Sequence, residues 1–304
     1  MIRLETLKEA YGLTEARWAS EGHLLTTDRG DKRLETWTDT ELLRWHTKWR
    51  HDVNKRCSSL LNRMIHTQQG EEAMIVPGGW LTVHDEITSL FSYQGKEEQA
   101  GELFAAMLKT GEDRDDTLVE SSRFSFSERD VDQLPSSSLD RFGRDVFQKL
   151  AKEAKNRLDK ANQLLEKVEY KEPVIDPIQS LSQGREVFQH LYWVGTTERP
   201  EPAFRSFRRL FSEWIQKYGE ESLFRLLDAI DRMYPISEEV QQRLLAETLK
   251  PYEFEECVRQ LEKSSEQEEA SIYFESLNKE WDEARSLLEH LQSWMAKRRE
   301  LIAT

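Results

Sequence analysis

Seven histidines, two cysteines and scattered acids are the residues whose types could do chemistry in this chain. The histidines stand at 23, 46, 51, 66, 84, 190 and 290, and none has the three- or four-residue helical spacing that puts two imidazoles on one metal ion. His46 and His51 are five apart, which on a helix points them in different directions. His84-Asp85-Glu86 sets an imidazole beside two carboxylates, but it follows a strand-like run and precedes a helical one, where acids commonly cap. Cys57 and Cys257 are far apart and lack the C-x-x-C spacing of a zinc or redox site, so the chain reads as reduced and intracellular. Neither thiol has a local context that would depress its pKa. No phosphate-cradling G-x-G-x-x-G or G-x-x-x-x-G-K-[ST] pattern occurs, and no G-x-S-x-G elbow; Gly78-Gly79 reads as a hairpin turn. Nucleophilic catalysis and a resident metal therefore have no support from motifs.

Charge narrows the choice further. The 304 residues carry 57 acids against 43 bases, a net charge of −14, which argues against a general nucleic-acid binder. Two basic clusters interrupt this field. Arg44, His46, Lys48, Arg50, His51, Lys55 and Arg56 share one helical stretch, and Arg205, Arg208 and Arg209 share another. Both read first as solvated helix faces and second as docking sites for an acidic partner. Nine Trp and thirteen Phe are too many for a disordered chain. No run approaches the ~20 apolar residues of a membrane span, and residues 1–10 lack a secretory signal's basic start and apolar core. The expectation is a soluble protein, cytoplasmic when synthesised.

The elements that must position these residues change character near residue 93. Leu4 to Tyr11 has a short helical pattern that stops at Gly12. Three strands follow, at 14–20, 23–27 and 32–37, separated by Glu21-Gly22 and Asp28-Arg29-Gly30-Asp31. Thr38 or Asp39 can cap a helix with Leu42, Trp45, Trp49, Val53 and Cys57 on its apolar face, running to about Leu61. Strands resume at 63–67, 72–76 and 80–83. Beyond Tyr93 the pattern is mainly helical: 97–109 stopping at Gly111, 139–168, 204–218, 222–233, 237–248, 252–262 and 266–301. Residues 112–138 are polar and read as a loop with a short helix at 127–134. The run 185–194 reads as either a buried strand or a short helix. The last helix carries Ile272, Leu277, Trp281, Leu287 and Trp294 in a stripe that reads as core.

A resemblance then enters. Tyr11-Gly12-Leu13-Thr14, the turn Thr27-Asp28-Arg29-Gly30, Met64-Ile65-His66-Thr67-Gln68-Gln69-Gly70 and Ala100-Gly101-Glu102-Leu103-Phe104-Ala105-Ala106-Met107 together resemble the small lobe and first large-lobe helix of the spore-coat kinase-like family of the CotS and YutH type. The stretch 202–218 and the run from Tyr234-Pro235-Ile236-Ser237 to Lys250-Pro251-Tyr252 resemble its carboxyl-terminal helices. That family is similar to aminoglycoside and choline phosphotransferases. The resemblance implies an α+β, bilobal protein-kinase-like fold, with residues 1–93 as a small antiparallel-sheet lobe and 94–304 as a large helical lobe.

Active relatives carry a lysine on the third strand, an H-G-D-x-x-x-x-N loop and a following metal-binding Asp. Here Glu35 stands where the lysine is expected, with Lys32 or Arg33 as substitutes if the register differs. The loop candidate, His190-Leu191-Tyr192-Trp193, keeps a His but no Asp. No Asp lies between Asp176 and Asp228, and no Asn between Asn162 and Asn278. The resemblance thus implies a degenerate kinase with no catalytic, cofactor-binding or metal-binding residues and no cofactor. Its partners would be proteins, spore-coat proteins among them, met through the basic helix, the loop 112–138 or the last helix; its oligomeric state is not indicated. The competing expectation is a divergent small-molecule phosphotransferase that holds magnesium on Glu198 or Glu201.

Overall fold

The computed structural model describes residues 2–114, 117–119, 141–166, 168–263 and 267–303. The expected short helix at 127–134 and most of the loop 112–138 lie outside them. The chain divides into two compact units: Met1–Glu120 with Pro173–Ser206 and Arg225–Pro235, and Ser121–Glu172 with Phe207–Phe224 and Ile236–Thr304.

In the first unit α1 (Leu4–Tyr11) ends at Gly12, whose left-handed φ of 62° closes the helix. The strands β1 (Ala16–Ser20), β2 (Leu24–Thr27) and β3 (Gly30–Trp37) form the expected antiparallel meander, and β5 (Met74–Val76) and β6 (Gly79–Asp85) complete a five-stranded sheet in the order β1-β2-β3-β6-β5. The pleat separates its two faces. Leu25, Leu34, Leu81 and Val83 meet Leu7 and Tyr11 of α1 in an apolar cluster. Arg33, Glu35 and Trp37 lie opposite His84, Thr82 and Trp80 in the β3–β6 register.

Helix α2 (Thr40–Asn54) is capped by Asp39, whose carboxylate accepts from the amides of Glu41 and Leu42 at 2.9 and 3.1 Å. It stops seven residues short of the expected Leu61. Asn54 donates to the Arg50 carbonyl at 2.8 Å and accepts from the Leu61 amide at 2.9 Å, so one side chain turns the chain back. Of the strand expected at 63–67, only the neighbouring β4 (Leu60–Leu61) pairs regularly, alongside β9 (His190–Trp193); Ile65 donates one bond to the Val83 carbonyl.

Gly111 does not end α3 (Glu97–Glu112). It sits within the helix because a Cβ there would lie 2.8 Å from Pro173 Cβ and the Val174 carbonyl of β7 (Val174–Ile175). Residues 185–194 resolve as a hairpin of β8 (Gly184–Val187) and β9, turning at Phe188 and Gln189 with φ of 48° and 68°. β10 (Glu201–Pro202) pairs antiparallel with β7.

Two expected helices are merged in α5 (Ala203–Met233), broken by Gly219 at φ 78°. The second unit holds α4 (Arg141–Leu165), α6 (Glu238–Leu249), α7 (Tyr252–Lys263) and α8 (Gln267–Ala303). Its core stacks Phe147 on Phe254 at 4.8 Å, with Trp281 of α8 edge-on to Phe254. The terminal stripe is therefore core, except Ile272, which is 62% exposed. Buried Glu253 accepts from both Arg157, at 2.7 Å, and Arg208, at 2.6 Å, which removes Arg208 from the second solvated basic face.

Within the first unit, a Cβ on Gly101 of α3 would fall 2.4 Å from the Ala229 Cβ. We therefore expect Gly101→Ala to lower stability by about 1–3 kcal/mol through overpacking, measured as a fall in the urea midpoint without a change in slope.

Candidate functional site

The polar face of the sheet meets α2, and there the reading of α2 as a solvated basic helix is corrected. Arg44, Lys48, His51, Lys55 and Arg56 are exposed, but His46 and Arg50 are fully buried. The helical period brings His46, Trp49, Arg50 and Val53 to the inner side, so an imidazole and a guanidinium share the core stripe. Base-rich composition concealed this because a helix's charge count says nothing about which face each charge occupies.

Buried Arg50 joins three segments. Its guanidinium lies 3.6 Å from Glu35 of β3 and donates to the carbonyls of Asn62, at 3.3 Å, and Thr196, at 2.5 Å. Glu35 also lies 3.0 Å from Arg33 and 3.1 Å from His84. His84 reaches the Arg63 carbonyl through Nδ1 and the Thr82 hydroxyl through Nε2, and that hydroxyl accepts from Trp37 Nε1 at 2.9 Å. Burial works to raise the pKa of Glu35, but the His84 ring and then the Arg50 and Arg33 charges outweigh it, holding the carboxyl well below the usual carboxylate range. Lys32, the alternative to Glu35, points to the other side of β3 and pairs with Asp85 at 2.9 Å. Arg33 shares the face of Glu35 and is bound to it.

The loop that follows β7 begins with Asp176, a residue sequence reasoning passed over. Its only signal was the preceding Val174-Ile175, too short a run to announce a strand. Asp176 is 2% exposed and accepts from the Thr196 amide and, at 2.6 Å, the Thr196 hydroxyl, while His46 Nδ1 stands 3.6 Å away. His46 Nε2 meets the Glu198 carbonyl at 2.7 Å. Gly195 fits between these groups because a Cβ would lie 2.5 Å from Asp176 Oδ2 and 2.7 Å from Arg50 Nε. The expected loop His190-Leu191-Tyr192-Trp193 is not a loop: it is strand β9, with His190 exposed beside the hairpin turn.

An open cleft of about 390 Å³ lies beside this network, between Arg33 and Glu35 on one side and Ser180, Arg185, Thr196 and Glu198 on the other. Glu198 accepts from Gln179 at 2.7 Å, and Glu201 is held by Ser206 and Arg205. Among the described residues no group of three or more His, Cys, Asp or Glu could hold a metal ion, so these two acids are not brought together with a third ligand. Burial pushes the Cys57 thiol up to about 11 and Cys257 up to about 12, the reverse of an activated nucleophile.

The geometry has clear likenesses among solved structures. An aminoglycoside phosphotransferase from Alicyclobacillus acidocaldarius superposes with a TM-score of 0.66 at 13% identity, covering 100% of this chain and 97% of that one. The microcompartment-associated aminopropanol kinase matches at 0.58 and 10% identity, over 95% and 97% of the two chains. Spectinomycin phosphotransferase in its AMP-bound complex matches at 0.54 and 13%, over 96% of each. The chain has the kinase-like phosphotransferase fold. No sequence-family model matches it, and no curated protein does so. In this α+β fold active protein kinases pair a third-strand lysine with a glutamate on the following helix. Here the third strand offers Glu35 and the following helix Arg50, at 3.6 Å. In this chain the strand carries the acid and the helix the base.

Arg50→Met should cost about 3–5 kcal/mol, because it removes one of the cations held against buried Glu35 and the donor to the Asn62 and Thr196 carbonyls; chemical denaturation measures it. Glu35 also sets an acid dependence. With its folded pKa depressed below the ordinary carboxylate value of 4.5, its stabilisation is present above that pH and is lost as the pH falls through the folded value. The stability gap between the parent protein and Glu35→Gln should therefore be constant from pH 7 to about 5 and shrink below 4.5, as urea melts across that range will register.

Proposed function

We propose that this chain is a catalytically degenerate kinase-like protein, a pseudokinase that serves as a structural or protein-docking component. The observation that carries the reading is the exchanged pair Glu35–Arg50. Phosphoryl transfer depends on cations placed against the triphosphate and on metal ions to neutralise its charge. A carboxylate at the third-strand position repels a triphosphate, and Arg50 is committed to Glu35 and two carbonyls. The segment after the β8–β9 hairpin, Val194 to Glu198, holds no Asp, and Glu198 is engaged by Gln179.

One observation favours the second reading, a divergent ATP-dependent small-molecule phosphotransferase. The structures matched in fold include an aminopropanol kinase and an amicoumacin kinase in complex with AMP-PNP and Ca2+. On that reading Asp176, which begins the loop after β7, is the proton acceptor. Its carboxylate is buried and taken by Thr196, which weighs against that role. The endospore-coat assignment rests on the family resemblance of the motifs given above. Protein partners are the matching expectation, and Arg44, Lys48 and His51 present an exposed basic strip to an acidic one.

The two readings part in a melting experiment. A nucleotide at a hundred times its Kd adds about 2.7 kcal/mol, a rise of several degrees. We expect no rise with millimolar ATP, with or without magnesium. A magnesium-dependent rise accompanied by phosphate transfer to an amino alcohol or aminoglycoside would establish the phosphotransferase instead.

A further inference from the structure

A second cavity, of about 540 Å³, lies in the first unit on the other side of Arg50. Its volume falls within the ~300–1,000 Å³ range of small-molecule sites. The 60–65 segment supplies an apolar wall through Leu60, Leu61, Met64 and Ile65, and Tyr192 of β9 lies against it. Leu60 is 45% exposed although it belongs to a paired strand. The Tyr192 side chain is 8% exposed, and its hydroxyl has no hydrogen-bond partner among the described residues. Burial pushes its phenol up, so the hydroxyl stays a donor at neutral pH.

The charges on the cavity wall can be sorted by what already neutralises them. Arg50 faces Glu35, and Asp85 is paired with Lys32 at 2.9 Å. Beside the exposed imidazoles of His51 and His66, that leaves Arg63 and Glu72, both exposed, both lining the cavity, and neither with a side-chain partner among the described residues. One guanidinium, one carboxylate, a buried phenol and an apolar wall form a set that a simple anion or cation satisfies only by half, because one free charge would oppose it. We propose that this cavity binds a small zwitterion with an apolar body, an α-amino acid or the equivalent end of a short peptide. Its carboxylate is received by Arg63 and the Tyr192 hydroxyl, its ammonium by Glu72, and its side chain by the wall from Leu60 to Ile65. The inference does not depend on whether the neighbouring cleft takes a nucleotide.

Titration calorimetry on the full chain tests it with L-phenylalanine, 3-phenylpropionate, which lacks the ammonium, and phenethylamine, which lacks the carboxylate. We expect saturable binding of phenylalanine near a millimolar Kd and about tenfold weaker binding of each truncated probe. Arg63→Gln should erase the advantage of phenylalanine over phenethylamine, and Glu72→Gln its advantage over 3-phenylpropionate. Both side chains are exposed, so both variants should melt with the parent protein. No saturation by phenylalanine up to about ten times that Kd would overturn the proposal. So would truncated probes that bind as tightly, or phenylalanine binding that neither substitution changes.

Discussion

A fully buried guanidinium with a carboxylate 3.6 Å away holds the first unit's polar interior in place. Taking Arg50 and Glu35 out of water costs several kcal/mol per ion, which their attraction offsets only when the remaining polar atoms find partners. Arg50 therefore reaches the carbonyls of Asn62 and Thr196, and Glu35 draws Arg33 and His84 to itself. Those partners belong to α2, β3, β6, the segment after β4 and the segment after β9. One ion pair thus fixes the mutual placement of five stretches that are remote in sequence. Removing a partner leaves a charge stranded, so the network is conserved in geometry by its own electrostatics.

The proposed function rests on the same pair. In an active kinase the third-strand cation faces the phosphates and the helix supplies a carboxylate to orient it. Exchanging the signs keeps an ion pair between strand and helix, while on the cleft wall the strand sets the Glu35 carboxylate beside the Arg33 guanidinium rather than a lone cation. On the proposed pseudokinase reading, fold and chemistry separate because the fold needs opposite charges of either polarity, whereas phosphate binding needs one polarity only.

What could be read from sequence divides along the same physical line. The β1–β3 meander, the capped α2, the kinked α5 and the terminal core stripe all follow from local signals: turn glycines, Asp39 as a cap, and apolar spacing of three and four. The side of β3 on which Glu35 stands was legible from the two-residue period of the strand. The burial of Arg50 and His46 was not, because a basic residue on an inward face looks the same in composition as one on an outward face. Asp176 was hidden by a two-residue strand, and Gly111 by a helix-stop preference that close packing against Pro173 overrides. Each miss was set by a contact partner fifteen or more residues away.

The strain in the β8–β9 turn follows a related logic. Phe188 and Gln189 both hold positive φ without being glycine, a conformation that costs on the order of 1 kcal/mol for each. A two-residue turn of this kind matches the twist of a tight hairpin, and the hairpin must be tight. Leu90 bridges to Arg185, Phe91 donates to the Gly184 carbonyl, and Gly184 has no room for a Cβ against the Tyr93 hydroxyl, which would stand 2.0 Å away. On the other edge Leu60 and Leu61 pair with Tyr192 and Trp193. With both edges pinned, a longer loop would shift the β8–β9 register by a residue and turn Tyr192 away from α2 and the Leu60 wall. The strained turn is thus a consequence of holding Tyr192 and Thr196 in register with the Arg50 network.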